Sequence, residues 1–316
     1  MMANVGWSVI HLAIPIKTDI RSAVSLLTSG NKIFGLTIFW LLLFGPGCNV
    51  AGVENPKVYG SLQFIVIGDW GRHGSRGQRS VAEQMNDLAT SNPVDFIVST
   101  GDNFYPNGVE NVDDPGWQES FEIIYSLPAL KDIPWYIALG NHDYMGNVDA
   151  QIEYGANHVN WMFPQSYHAE DFKIDRQTKV HFIFLDTNPF LEEYKRRTIF
   201  FRNLDFQDTD GQLQWLNVTL DKSDADWTIA VGHHPVYSSG YHRDTVELKN
   251  VLPALFEKYR VQAYFAGHDH HLEHSQPVGD TDYFISGGGA QVRSVSPNRQ
   301  NKFAVSSLGF AHSSAR

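Results

Sequence analysis

The sequence is poorest in cysteine. Cys48 is the only one among 316 residues, which excludes an internal disulfide and leaves any secreted form to fold without covalent staples. Positive charge is also in short supply: 24 Lys+Arg against 35 Asp+Glu give a formal net charge of −11. General nucleic-acid binding, which needs a basic footprint, is therefore excluded. No apolar run reaches the roughly 20 residues that cross a hydrocarbon core. Internal repeats and low-complexity tracts are missing too. With 42% hydrophobic and 19% charged residues the composition is globular rather than disordered or fibrous, and the length suffices for a proper core. What is plentiful is histidine, 14 in all, together with aspartate. Those are side chains that bind metals.

The longest apolar stretch, residues 33–44, follows Lys32 and stops at Gly45-Pro46-Gly47. At roughly 12 residues it is too short for a span but fits the central region of a signal peptide. Small residues Gly45, Gly47, Ala51 and Gly52 follow it. Residues 1–52 are accordingly assigned to a signal peptide, or a signal anchor with a long leading region, and 53–316 to one catalytic domain. Cleavage near residue 52 would remove Cys48. Asn217-Val218-Thr219 is an N-glycosylation sequon consistent with that route. The expectation is a secreted, vacuolar or lysosomal protein with no stable membrane span.

From Leu62 onward short apolar runs alternate with helical patterns. Strands are predicted over 62–67, 96–99, 135–139, 180–185, 227–231, 263–266 and 283–286. Helices carry Val81, Met85 and Leu88, then Leu213, Leu216 and Leu220, and a third covers 245–259. This alternation predicts an α/β fold with a largely parallel sheet and helices on its faces. Five strands run into Gly68-Asp69, Gly101-Asp102-Asn103, Gly140-Asn141-His142, Gly232-His233 and Gly267-His268-Asp269-His270. In open α/β sheets ligands gather at the carboxyl ends of strands, and glycine there permits tight turns with positive φ. The five turns are therefore expected to meet at one site. Asp, Asn and His without Cys suit Fe, Mn or Zn. An Asp shared between two cations can hold them about 3.5–4 Å apart, a spacing that clamps a phosphoryl group. Such ions also explain how a chain of this negative charge could bind an anion.

Taken in order, Gly68-Asp69-Trp70-Gly71, Gly101-Asp102-Asn103-Phe104-Tyr105, Gly140-Asn141-His142-Asp143, Gly232-His233-His234-Pro235 and Gly267-His268-Asp269-His270 resemble the motifs of the calcineurin-like metallophosphoesterases. The likeness covers about residues 60–290 and is greatest to the purple acid phosphatases, in their small plant-type and tartrate-resistant branch. Two positions carry that finer likeness: Gly71, where many relatives have histidine, and Tyr105, three residues after Asp102.

The resemblance implies a four-layer α/β/β/α sandwich of mixed sheets. It assigns Asp69, Asp102, Tyr105 and His270 to a ferric ion, for which a phenolate is a hard anionic donor and the source of the family's colour. Asp102 would bridge to a divalent ion (Fe, Zn or Mn) that is also held by Asn141, His233 and His268. His142 and His242 match the two phosphate-side histidines, and Asp143 is expected to orient His142 by accepting its other N–H. His234, His271 and His274 are adjacent to the motifs without being ligand positions and are read as loop residues or as supports behind the ligands. The implied activity is that of an acid phosphatase on small phosphorylated substrates, in which metal-bound hydroxide attacks a phosphate monoester. The alternatives are another metallophosphoesterase (a phosphodiesterase or protein phosphatase), against which Tyr105 and Gly71 argue, and a truncated non-catalytic binding protein. Family members continue through further strands after the region matched by Gly287-Gly288-Gly289, whereas this chain ends 27 residues after Gly289. Its last strands are expected to be incomplete, leaving an exposed sheet edge.

Overall fold

The computed structural model describes residues 11–12, 60–197, 201, 204–298 and 300–315. The apolar run at 33–44 and Cys48 lie outside the described residues. The strands are β1 His11–Leu12, β2 Leu62–Ile67, β3 Phe96–Ser99, β4 Trp135–Ile137, β5 Trp161–Met162, β6 His168–Lys173, β7 Lys179–Phe184, β8 Trp227–Val231, β9 Ala263–Ala266, β10 Leu272–Ser275, β11 Asp282–Ser286, β12 Asn301–Val305 and β13 Ala311–Ala315. They form two mixed sheets, of order β1-β13-β2-β3-β4-β5 and β12-β10-β11-β9-β8-β7-β6. All seven strands expected from the apolar runs are present. They make the parallel centre of each sheet: β2, β3 and β4 in the first, β7, β8, β9 and β11 in the second.

Alternation along these strands sorts side chains into three layers of core. Phe64 and Val66 of β2, Phe182 and Phe184 of β7, and Ile229 and Val231 of β8 point into one cluster between the sheets. Ile65 and Ile67 face the opposite way, toward α1 (Gln78–Ser91), whose Val81, Ala82, Met85 and Ala89 cover the first sheet. Ile183, Ala230 and Tyr264 face outward from the second sheet. They meet Leu216 and Leu220 of the helix Thr209–Lys222 and Leu252 and Phe256 of the helix Leu252–Tyr259. Helix, sheet, sheet, helix is the four-layer order implied by the resemblance.

The remaining α-helices among the described residues are α2 (Val148–Asn157), α3 (Glu192–Lys195) and α5 (Val246–Lys249), which makes Thr209–Lys222 α4 and Leu252–Tyr259 α6. A single helix over 245–259 is corrected to the pair α5 and α6. Pro253 lies in the opening turn of α6. Proline lacks the N–H an interior helical residue must donate, so the helix restarts there. The chain end also differs from expectation. β13 pairs antiparallel with β2 from Ala311↔Val66 to Ala315↔Leu62, and β12 pairs with β10. The edge of β2 is therefore covered.

Candidate metal centre

Five turns at one end of the two sheets carry the predicted ligands. Asp69 follows β2, Asp102 follows β3, Asn141 and His142 follow β4, His233 follows β8, and His268 and His270 follow β9. The first three strands belong to one sheet and the last two to the other, so the site is made by two sheets rather than one. Hydrogen bonds tie the sheets together there. Gly68 N–H donates to Ser286 C=O at 2.7 Å, Ser286 Oγ donates to Val66 C=O at 2.7 Å, and His268 N–H donates to Asp69 Oδ2 at 2.9 Å.

Left-handed backbone, expected of the glycines, is found mainly in the ligands themselves. Asp69, Asp102 and His268 have φ of 61°, 55° and 65°. Such conformations cost about 1–3 kcal/mol each in non-glycine residues and cluster at functional sites. Of the motif glycines, Gly101 has φ of 98°, whereas Gly140 is required for space. A Cβ at Gly140 would stand 2.2 Å from the backbone nitrogen and from Oδ1 of Asp102.

The predicted ligands form two adjoining clusters. In the first, the Tyr105 hydroxyl lies 2.7 Å from Asp102 Oδ2, 3.0 Å from Asp69 Oδ1 and 3.2 Å from His270 Nε2. A phenol has one proton to offer these three acceptors, so the arrangement suits a cation better than a hydrogen bond. In the second, His233 Nε2 lies 3.2 Å from both Asn141 Oδ1 and His268 Nδ1, and 3.5 Å from Asp102 Oδ1. The other nitrogen, His233 Nδ1, is 2.9 Å from the Thr100 carbonyl. That contact puts the ring proton on Nδ1 and turns the Nε2 lone pair toward two further acceptors. Donor atoms of Asp69, Asp102 and His233 all lie within 4.8 Å of one another, and so do those of His233, His234 and His268. The donor set thus fits a pair of metal ions with Asp102 between them.

Charges are distributed accordingly. Burial pushes the Asp102 carboxyl upward, but His233, His142 and the Tyr105 hydroxyl outweigh it and hold the group well below the carboxylate range. Burial, with Asp102 and Asp69 beside it, drives the Tyr105 phenol well above its usual value. Burial and the neighbouring His234 and His233 rings keep His268 well below its own. At His233 the lowering by burial is exceeded by the carboxylates of Asp102 and Asp69.

The two histidines expected on the phosphate side, His142 and His242, sit at the rim. His142 donates its backbone N–H to Asp102 Oδ1 at 2.8 Å, and its Nδ1 meets the Pro106 carbonyl at 2.5 Å. Asp143 therefore does not orient the His142 ring, a correction to the sequence reading. Its buried carboxylate accepts from Gly140 N at 2.8 Å, Asn103 N at 3.1 Å and Gln151 Nε2 at 3.0 Å, fixing the turn beneath. Burial and the charge of Asp102 push Asp143 up to about 7. His242 donates its backbone N–H to Asp269 Oδ1 at 2.8 Å, and its ring lies 4.1 Å from that of His268. Burial, joined by Arg293 and opposed by Asp269, lowers His242.

Several supporting residues escaped the sequence reading. The Thr187 hydroxyl accepts from the backbone N–H groups of His233 (3.3 Å) and His234 (3.1 Å) and lies 2.9 Å from His234 Nδ1. His234 Nε2 reaches the Tyr194 hydroxyl at 3.2 Å, so both its nitrogens are engaged beside the cluster. Asp269 stands between two predicted ligands in the motif and accepts from Ser238 Oγ at 2.5 Å. The guanidinium of Arg72 lies 3.4 Å from the Tyr105 ring centroid. The position of Thr187, just past a predicted strand, was the available signal; lack of a glycine before it hid the turn. His271 and His274 turn away, to Glu273 and Asp282 respectively, each at 2.8 Å. Asn217 lies on α4 with its Oδ1 accepting from the Tyr259 hydroxyl at 2.8 Å.

Comparison with known proteins agrees with this geometry. The family model described as calcineurin-like phosphoesterase matches residues 62–272. Purple acid phosphatase 7 of Arabidopsis thaliana is 40% identical over 242 residues, covering 75% of this chain and 72% of that protein. Tartrate-resistant acid phosphatase type 5 of Oryctolagus cuniculus is 36% identical over 259 residues, covering 78% and 77%. Among solved structures, GAP50, described as the anchor in the inner membrane complex of Plasmodium, superposes with a TM-score of 0.70 at 28% identity, covering 80% of this chain and 81% of that one. The paired donor clusters, the tyrosine within one of them and these likenesses make the chain a member of the purple acid phosphatases, within the calcineurin-like phosphoesterases.

Proposed function

We propose that the chain is an acid phosphatase that hydrolyses phosphate monoesters at an Fe(III)–M(II) pair. Asp69, Asp102, Tyr105 and His270 would hold the ferric ion, and Asp102, Asn141, His233 and His268 the divalent one (Fe, Zn or Mn). The observation that carries this reading is the phenol oxygen of Tyr105, enclosed within 3.2 Å by two carboxylates and an imidazole. The ions, when bound, supply positive charge that polarises the phosphoryl oxygens and acidifies a water. The chain's own groups do the rest. Asp102 links the two clusters and fixes their separation. With Nδ1 committed to Pro106, His142 keeps Nε2 for the substrate and delivers a proton to the leaving oxygen. His242, held by Asp269, borders the phosphate on the opposite side.

Small phosphorylated molecules are the substrates, and work on the acid side of neutrality follows from the need for a protonated histidine. The apolar run at 33–44 and the sequon at Asn217 support a signal-bearing, glycosylated protein of the secretory route, secreted or vacuolar/lysosomal, with its catalytic domain over 53–316. No helix among the described residues is long and apolar enough to cross a membrane. Likeness to an anchor protein raises a second reading, a non-catalytic scaffold. Retention of all seven donors speaks against it. Elemental analysis and turnover of a chromogenic phosphate monoester on one purified sample test the proposal. Two metal ions per chain with turnover support it; metal without turnover leaves the scaffold.

A further inference from the structure

A cationic side chain reaches the rim from outside the five ligand turns. Arg293 lies between β11 and β12, beyond Gly287-Gly288-Gly289, and is half-buried. Its backbone is tied on both sides: its N–H donates to the His270 carbonyl at 2.8 Å, and its own carbonyl accepts from Ser306 Oγ. The side chain extends over Tyr241, with 5.1 Å from the guanidinium carbon to the ring centroid, and Nη1 donates to His242 Nε2. Only the His242 ring then separates the guanidinium from His268. Among the described residues no carboxylate forms an ion pair with Arg293. In a chain of net charge −11, a guanidinium set on His242 and Tyr241 with no ion-pair partner among the described residues is placed to meet an anion at the rim.

We propose that Arg293 is a further specificity-determining residue of this site, whose guanidinium holds a second anionic group of the substrate beside the phosphate that is cleaved. The proposal rests on the phosphatase reading of the same site. Guanidinium offers five N–H donors in a planar fork, and one bond to His242 leaves enough of them to grip a phosphate bidentately. The charge is permanent. Because His242 Nε2 accepts from Arg293, its ring proton sits on Nδ1, so the positive charge on this side belongs to the guanidinium and proton delivery falls to His142. A phosphate joined to a second phosphate through one bridging oxygen matches this layout, whereas an aryl phosphate leaves Arg293 with nothing to hold. Hydrolysis of such a diphosphate adds the oxygen of water to one phosphorus, breaks the bridging P–O bond, and gives the departing phosphate the proton.

The test compares metal-loaded wild type, R293Q and R293K on pyrophosphate and p-nitrophenyl phosphate. The ratio of kcat/KM for pyrophosphate over the aryl ester should fall about tenfold or more in R293Q, mainly through KM, as expected for loss of a charge-assisted contact. R293K, which keeps the charge, should recover most of that ratio. An R293Q ratio equal to wild type overturns the proposal. Should wild type hydrolyse neither compound, the phosphatase reading falls, and calorimetric titration of the same metal-loaded proteins with pyrophosphate and orthophosphate decides Arg293 alone. A preference for pyrophosphate lost in R293Q supports the assignment, and equal preferences overturn it.

Discussion

The hydroxyl of Tyr105 lies 2.7 Å from Oδ2 of Asp102, three residues earlier in the chain, while Oδ1 of the same carboxylate lies 3.5 Å from His233 Nε2. One side chain therefore faces both clusters, and its φ of 55° points it there. Asp102→Asn should lose metal and turnover together. The fall in kcat should exceed the roughly 10–100-fold typical of outer contacts to a metal site. Elemental analysis and kinetics on one sample check this; a D102N protein with full metal and full rate would refute the bridging role.

Tyr105→Phe separates the proposed iron chemistry from fold. The ring is buried, and the change removes only an oxygen. The reconstituted variant should keep its far-ultraviolet spectrum and lack the visible absorption band that the proposed iron–phenolate pair gives the wild type, because that band needs a phenolate donor. Absorption spectroscopy reads the outcome directly.

Gly140→Ala tests the backbone under the site. The added Cβ would come 2.2 Å from Asp102 N and Oδ1, closer than any real contact, so the bridging carboxylate or its turn must move. Overpacking of this kind costs about 1–3 kcal/mol. Metal occupancy should fall along with Tm, in contrast to a change on the solvent-exposed face of α1.

His142→Ala should lower kcat by about 100-fold or more, the usual contribution of a general acid, with both metals retained. Metal content equal to wild type would place the defect in proton delivery; a joint loss of metal would contradict the role assigned to its Nε2, which stands 4.0 Å from Asp102 Oδ2.

His168 contributes to acid stability away from the site. It is 3% exposed on β6 and stacks on Phe184 at 4.6 Å. Burial pulls its pKa from 6.5 down to about 4. Between those values the unfolded chain binds a proton that the folded chain refuses, so stability is full above about pH 6.5 and drains away as pH falls toward 4, by up to roughly 3 kcal/mol. His168→Phe should remove that slope. Urea unfolding of both proteins at pH 7 and pH 4 measures it; parallel losses would sink the assignment.

Much of the site was legible because its turns repeat one pattern, an apolar strand, glycine, then Asp, Asn or His. The supporting residues were hidden for physical reasons. Thr187 acts through a hydroxyl common in any loop. Asp143 looked like a partner for the adjacent His142, but the Pro106 carbonyl is closer to that ring and the carboxylate is buried among backbone N–H groups instead. β6 (His-Ala-Glu-Asp-Phe-Lys) and β13 (Ala-His-Ser-Ser-Ala) show little β-propensity, so only pairing makes them strands.

Sequence by itself determined the α/β class and the seven strands of the parallel centres, since periodicity is a local property of the chain, while the seven expected donors came from the resemblance of its motifs to the family. Tertiary structure alone decided that two sheets share those donors, that Asp69, Asp102 and His268 take left-handed backbone, and that Arg293 reaches His242. These are relations between segments up to about 200 residues apart, and packing across the sandwich, which no local pattern encodes, settles them.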